Sequence, residues 1–132
     1  MKKTINYKGY TFTYHTDGHC ALVFKGTNLT DEQLNNTPIK CVAGSSLKQA
    51  IEKTKTLIDL FCSYEMSVIK QSELYNKSNK TNEEWEQYYT VCEQTGKLQS
   101  QLMNNGCIYN NETNQIEKAT TEHYKWVNQF KK

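Results

Sequence analysis

Three side chains of types that bind zinc lie around one predicted turn. His15 precedes Asp17-Gly18, and His19 and Cys20 follow it; Asp-Gly is typical of tight hairpin turns. A hairpin closed there would place His15 across from Cys20, and imidazole and thiolate groups are ligands that zinc prefers. The sequence offers no second pair of such residues to complete a tetrahedral site. We therefore interpret the segment as a polar turn beside one thiol, and we expect no metal and no cofactor.

Cysteine and histidine also form the pair that nucleophilic catalysis uses. Cys20 or Cys41 would have to contact His123 so that the imidazole could take the thiol proton. No flanking signature supports such a pair, and a cysteine without an activating base behaves as a small apolar residue. The five cysteines are widely spaced and never form C-x-x-C: Cys20, Cys41, Cys62, Cys92 and Cys107. We predict that they are reduced and structurally independent of one another.

Several glutamates cluster near the start of a predicted helix: Glu83, Glu84, Glu86 and Glu93. Paired carboxylates can perform acid–base catalysis. Here the position itself accounts for them, because the helix dipole stabilises a carboxylate near the helix N-terminus. The sequence contains no P-loop, no Rossmann glycine pattern and no G-x-S-x-G segment. We therefore predict that the protein is not an enzyme.

Length and charge limit the remaining classes of function. The chain has 132 residues and a formal net charge of +2, which fits one domain and does not by itself indicate a nucleic-acid partner. All 16 basic residues are lysines, and the lack of arginine disfavours a reader of DNA sequence, since arginine is preferred for bidentate contact with guanine. The sequence shows neither a signal peptide nor a membrane span, so we expect a cytoplasmic protein without a membrane partner.

The clearest helix begins at Ser46 and runs at least to Cys62. Its apolar residues recur at three- and four-residue spacing and therefore share one face. The side chains that we expect to be buried are Leu47, Ile51, Leu57, Ile58 and Phe61. Ser46 and Gln49 have the spacing of a capping box. The pattern does not clearly stop at Cys62, so a helix that continues to residue 77 and a kinked pair of helices both remain compatible with it.

Alternating apolar and polar residues predict strands before this helix. The candidate strands cover residues 3–7, 10–15, 19–25 and 39–43. Lys8-Gly9 can form the first tight turn, and the capping-box spacing of Thr30 and Gln33 predicts a short helical turn before the fourth strand. We predict an α+β fold in which an antiparallel β-meander of three to four strands packs on the helix.

A second helix should follow and fold back on the first. Thr81 and Glu84 have capping-box spacing, and Asn104-Asn105-Gly106 supplies a glycine for the helix end. The polar residues 76–80 would join the two helices into an antiparallel hairpin. A small β-hairpin after residue 107 and a last helix starting at Thr120 or Thr121 complete the prediction. The whole chain, residues 1–132, is then a single domain with parts at 1–62, 63–106 and 107–132.

Tyrosine and lysine alternate along the predicted strands. A sheet that presents both can stack bases on the rings and hold phosphates with the ammonium groups. The residues that would bind nucleic acid in this way are Lys3, Tyr7, Lys8, Tyr10 and Lys25. The alternative, which we favour, is that one aromatic face of the sheet is the core beneath the first long helix.

The second half of the chain carries more large aromatic residues than a thin helical hairpin can bury. Tyrosine and tryptophan are enriched at binding hot spots, where the ring buries area and its polar end finds a partner. The predicted partner-binding residues are Tyr75, Trp85, Tyr88, Tyr89 and Trp126. The same rings could instead pack the helices together or close a homodimer.

The composition resembles that of small accessory proteins encoded by phages and other mobile elements of AT-rich hosts. It is rich in Lys, Asn, Thr and Tyr and contains no Arg. The resemblance extends over the whole chain but transfers no role to any residue. It implies a non-catalytic protein that binds a host protein and inhibits a host defence or nucleic-acid enzyme. A nucleic-acid-binding accessory protein and a small-ligand-binding protein are the alternatives.

Overall fold

A four-stranded antiparallel meander forms the first part of the computed structural model, which describes residues 1–110, 113 and 115–119. Its strands are β1 (Lys2–Tyr7), β2 (Tyr10–His15), β3 (Cys20–Lys25) and β4 (Lys40–Ala43), paired in that order. Lys8 and Gly9 both have positive φ, at 47° and 83°, which is the conformation of the two-residue turn that matches strand twist. The predicted α+β fold is confirmed, with four strands in the meander.

The connection from β3 to β4 contains one short helix. α1 (Asp31–Leu34) begins with the predicted capping box, in which Thr30 and Gln33 each accept a hydrogen bond from the other's backbone N–H. Leu34 is buried, so this turn anchors the long connection to the sheet.

The first long helix is continuous. α2 (Leu47–Asn76) has 30 residues, which removes the alternative of a kinked pair. Ser46 caps it by accepting a hydrogen bond from the Gln49 N–H, at 3.1 Å. The predicted capping box is only half formed, because the Gln49 side chain accepts hydrogen bonds from Ser45 rather than from Ser46.

One stripe of α2 packs on the sheet. The buried residues of the helix are Ala50, Thr54, Leu57, Ile58, Phe61 and Tyr64. The Phe61 ring lies 5.3 Å from that of Tyr10, centroid to centroid, so the helix meets the sheet at the start of β2. Leu57, Ile58 and Phe61 are buried as predicted, whereas Leu47 and Ile51 are only half-buried. Both of these lie in the first turns of α2, before the stripe reaches the centre of the sheet.

Gly44 lets the end of β4 lie directly against the start of α2. A Cβ atom at this position would stand 2.7 Å from the backbone nitrogen of Ala50, which is closer than non-bonded atoms approach. Glycine is thus required at this position because the backbone of Ala50 leaves no room for a side chain. It fixes where the helix crosses the sheet.

α3 (Asn82–Asn104) returns antiparallel to α2 and forms the predicted helical hairpin. Thr81 and Glu84 make the expected capping box. Midway along, the Ser67 and Thr95 hydroxyls are 2.6 Å apart, so small polar residues allow the two helices to approach closely.

A small β-hairpin closes the core after α3. It consists of β5 (Cys107–Asn110) and β6 (Gln115–Lys118). Cys107 and Ile116 are buried in the same hydrophobic cluster as Tyr10 and Phe61. The predicted final helix, with its candidate site residue Trp126, lies outside the described residues.

Candidate functional site

The far end of the helical hairpin carries four aromatic rings and one lysine that lies against them. We call this set the hairpin tip: Tyr75, Lys80, Trp85, Tyr88 and Tyr89. Trp85 stacks on Tyr89, with ring centroids 5.9 Å apart and planes 25° from parallel. Tyr88 lies 6.0 Å from Trp85, edge to face, and 5.9 Å from Tyr75 across the hairpin. Four of the five predicted partner-binding residues therefore form one continuous surface.

The hairpin tip lies beyond the core. Tyr64 is the last residue of α2 that is fully buried in the described chain, and Tyr75 follows it by eleven residues. At the helical rise per residue, this separation is about 16 Å. Eleven residues are also close to three full turns, so Tyr75 continues the stripe that faces the sheet nearer the helix start. The stripe extends past the sheet and ends in rings that the sheet cannot cover.

The rings of the hairpin tip are open to solvent. The exposed fractions are 62% for Tyr75, 63% for Tyr89 and 39% for Trp85, and Tyr88 is half-buried. Single exposed apolar residues are common, but a contiguous exposed aromatic patch marks an interaction site. The rings pack mainly on one another, so a partner surface could bury them without unfolding the hairpin.

Lysines at the hairpin tip are held by the hairpin itself. The Lys80 ammonium donates to the carbonyl oxygens of Tyr75 at 2.7 Å and Lys77 at 2.9 Å, and lies 4.6 Å from the centroid of the Trp85 ring. It therefore satisfies carbonyls at the end of α2, where a positive charge is favourable. Lys77 pairs with Glu84, and this hydrogen bond, followed by that of the Thr81 N–H, lowers the pKa of the Glu84 carboxyl.

The acidic residues near the hairpin end lie on the side away from the rings. Residues 73–86 contain four glutamates and two lysines, and both lysines have the partners described above. Glu73 lines a groove between α2 and α3, and Glu83 and Glu86 lie beside Lys70 on the same side. The surface of the rings themselves is therefore aromatic rather than charged.

Sequence reasoning did not single out Lys80, although it belongs to the hairpin tip. The sequence feature that could have identified Lys80 is its position just after a predicted helix end. A lysine there can donate hydrogen bonds to the last carbonyl groups of the helix. The fifth predicted partner-binding residue, Trp126, lies outside the described residues.

The tyrosine and lysine residues of the strands are engaged with α2. Tyr10 is 1% exposed and its hydroxyl donates to Glu65, so its ring cannot stack on a base. Burial, followed by the hydrogen bond to Glu65, raises the pKa of the Tyr10 hydroxyl. Lys25 pairs with the same carboxylate at 3.1 Å and lies 4.4 Å from the centroid of the Tyr10 ring. Tyr10 is thus a core residue, as the favoured alternative expected.

A second carboxylate of α2 holds the β1–β2 turn. Asp59 accepts hydrogen bonds from the Lys8 ammonium at 2.7 Å and the Tyr7 hydroxyl at 2.9 Å. Four of the five residues predicted to bind nucleic acid therefore use their polar groups to bind Asp59 or Glu65. Lys3 is exposed at the edge strand. A phosphate backbone would have to displace two ion pairs to use this surface.

Acid is expected to release the turn from α2. The hydrogen bonds from Lys8, then Tyr7, hold the pKa of Asp59 below its ordinary value of 3.8. A carboxyl whose pKa is lower in the folded state adds stability that is complete above the ordinary value and is lost as the pH falls through the folded value. We expect the wild type to have a higher thermal midpoint than Asp59→Asn at neutral pH, with the difference shrinking below about pH 4.

Glu52→Gln provides the matched control for this titration, since Glu52 is an exposed carboxylate on the same helix. The thermal midpoint of Glu52→Gln should differ little from that of the wild type at every pH. A difference in thermal midpoint between Asp59→Asn and the wild type that persists unchanged to pH 2 would contradict the role of the ionised carboxylate.

The structure does not bring His15, His19 and Cys20 together as a three-ligand zinc site. Among the described residues, no group of three or more His, Cys, Asp or Glu side chains is arranged to hold a metal ion. His123, the proposed base for a cysteine nucleophile, lies outside that part of the chain. All five cysteines are described, and each is free, as predicted.

A groove of about 850 Å³ runs between α2 and α3 on the side away from the rings. Its apolar lining includes Met66, Ile69, Val91 and Leu98. Met66 is 70% and Ile69 57% exposed, so the groove is open, whereas small-molecule sites enclose most of their ligand. The geometry therefore favours the hairpin tip over the groove as the candidate site.

Comparison with known proteins adds no function to this geometry. No protein-family model, curated protein or solved structure matches the chain. None of the helices in the described part of the chain could span a membrane.

Proposed function

We propose that this protein acts by binding another protein through the hairpin tip and carries out no catalysis. The observation that supports the proposal is a contiguous set of rings beyond the core, in which Tyr75, Trp85 and Tyr89 are exposed and Tyr88 is half-buried. Tyrosine and tryptophan bury large areas at little entropic cost, because each side chain has only two rotatable angles. Rings that already contact one another lose still less freedom on binding.

The chemistry of the hairpin tip favours a protein partner. Nucleic acid would need free cations at the tip to hold its phosphates, whereas the Lys80 ammonium already donates to the carbonyl oxygens of Tyr75 and Lys77. The rings instead suit the apolar and basic side chains of a protein surface, which pack against aromatic faces. The partner is therefore a protein.

The biological role that fits this partner is inhibition of a host enzyme. The composition resembles small accessory proteins of phages and other mobile elements, and such proteins act on host machinery. An aromatic tip that covers the substrate-binding face of an enzyme would block access of the enzyme to its substrate. The proposed protein is then a cytoplasmic inhibitor of a host defence or nucleic-acid enzyme.

Substitution at the hairpin tip tests the proposal. The chain, immobilised, is used to capture proteins from a host lysate, and the captured protein is identified, purified and titrated by calorimetry. Trp85→Ala and Tyr89→Ala are each expected to weaken binding of that protein at least tenfold, about 1.4 kcal/mol.

Met66→Ala is the matched control, since it removes an exposed apolar side chain of the hairpin outside the tip. It should bind the partner like the wild type. Equal affinity for all variants would contradict the proposal, as would loss of the folded state in Trp85→Ala, which would show the ring to be core. Light scattering supplies the remaining control: a dimer that becomes a 15.4 kDa monomer in Trp85→Ala would show that the tip binds a second copy instead.

A further inference from the structure

Two cysteines share one exposed face of the sheet. The strand register pairs Leu22 with Cys41 and Cys20 with Ala43. Because side chains alternate between faces along a strand, Cys20 and Cys41 project from the same face as diagonal neighbours. Both are exposed, whereas cysteine is among the most often buried residue types. Packing does not explain this pair.

The shared face is the one that α2 leaves open. Ala21 and Val23 alternate with Cys20 along β3, and both are completely buried in the core beneath the helix. Burial, followed by the interaction with the Cys20 thiol, raises the pKa of the Cys41 thiol. The prediction that the five thiols are structurally independent is therefore wrong for these two, since the register of β3 and β4 brings them together.

The spacing of diagonal neighbours decides what the pair can form. Diagonal neighbours on antiparallel strands are about 7–8 Å apart, with somewhat shorter distances between their Cβ atoms, while a disulfide needs Cβ atoms about 3.5–4.5 Å apart. A disulfide would thus require the two strands to move closer together. A metal ion bound at about 2.3 Å from each sulfur spans two sulfurs roughly 4–4.6 Å apart, which the side chains can reach without backbone movement.

We propose that Cys20 and Cys41 form a two-thiolate site for a soft monovalent metal ion, Cu(I). Soft thiolate ligands select Cu(I), and this ion is stable with two sulfur ligands in a nearly linear arrangement. Each thiol releases its proton to solvent and donates a sulfur lone pair, and no oxidation state changes. Zinc is disfavoured because it takes four ligands, and no third ligand completes a group with this pair in the described chain.

Copper competition tests the site. Reduced protein is titrated with Cu(I) under argon against a chromophoric Cu(I) chelator. The wild type is expected to retain one equivalent, and Cys20→Ser and Cys41→Ser should each lower the affinity at least tenfold. Cys92→Ser, on α3, is the matched control and should retain copper like the wild type. Circular dichroism should be the same for all four proteins, because Cys20 and Cys41 are exposed and serine is close in size to the half-buried Cys92.

Two results would overturn the proposal. One is a wild type that loses all copper to the chelator. The other is retention of copper by Cys20→Ser and Cys41→Ser at wild-type affinity. If a serine variant unfolds, the corresponding alanine variant replaces it in the same titration.

Discussion

Replacing Phe61 by alanine is expected to lower the free energy of unfolding by about 3–5 kcal/mol. Phe61 is completely buried where α2 crosses the sheet, and its ring contacts that of Tyr10. Its removal leaves a cavity between helix and strands that the surrounding side chains fill only partly. Typical domains are stable by about 5–15 kcal/mol, so this single change should remove a large part of the total. Urea denaturation followed by circular dichroism measures it.

Ile69→Ala, on the same helix, is the matched control for Phe61→Ala. Ile69 is 57% exposed, so its truncation should change the free energy of unfolding by less than about 1 kcal/mol. Similar losses in the two variants would show that α2 buries a different face. The contrast thus tests the helix orientation that leaves the hairpin tip beyond the sheet.

Local signals carried most of the fold. The helices could be predicted because Ser46 and Thr81 mark their starts and Gly106 follows the end of α3, and these signals act within a few residues. Asp17-Gly18 and Lys8-Gly9 marked the turns of the meander for the same reason. The aromatic members of the hairpin tip were also identified from the sequence. Composition and helix length show that a helical hairpin has more large rings than it can bury.

Contacts between distant segments could not be predicted. Tyr10 and Glu65 are 55 residues apart in the chain, and no local pattern shows that a carboxylate of α2 would accept the hydroxyl of a strand tyrosine. The contact of Cys20 with Cys41 depends on the register of β3 and β4, which the long connection between them leaves open. The sequence predicts the position of a ring that follows from helix periodicity. It does not predict the position of a ring that depends on packing between distant segments.

The Tyr10 hydroxyl and Glu65 are expected to be energetically coupled by about 1 kcal/mol or more. Tyr10→Phe removes the donor and leaves Glu65 paired with Lys25, so the free energy of unfolding should fall by about 1 kcal/mol. Glu65→Leu leaves a buried hydroxyl without its acceptor and should cost about 1–3 kcal/mol. In the double variant donor and acceptor are both absent, so its loss should be smaller than the sum of the single losses.

The same variants separate a core role of Tyr10 from a nucleic-acid role. If Tyr10 is a core residue, Tyr10→Phe changes stability in urea and leaves any binding of labelled single-stranded DNA at low salt unaltered. Lys3→Ala is the matched variant for binding, because Lys3 is exposed on the edge strand and its loss should leave stability within about 0.5 kcal/mol of the wild type.

Additive losses for Tyr10→Phe and Glu65→Leu, within about 0.3–0.5 kcal/mol, would contradict the coupling. A fall in DNA affinity in Tyr10→Phe would instead place the hydroxyl at a nucleic-acid surface.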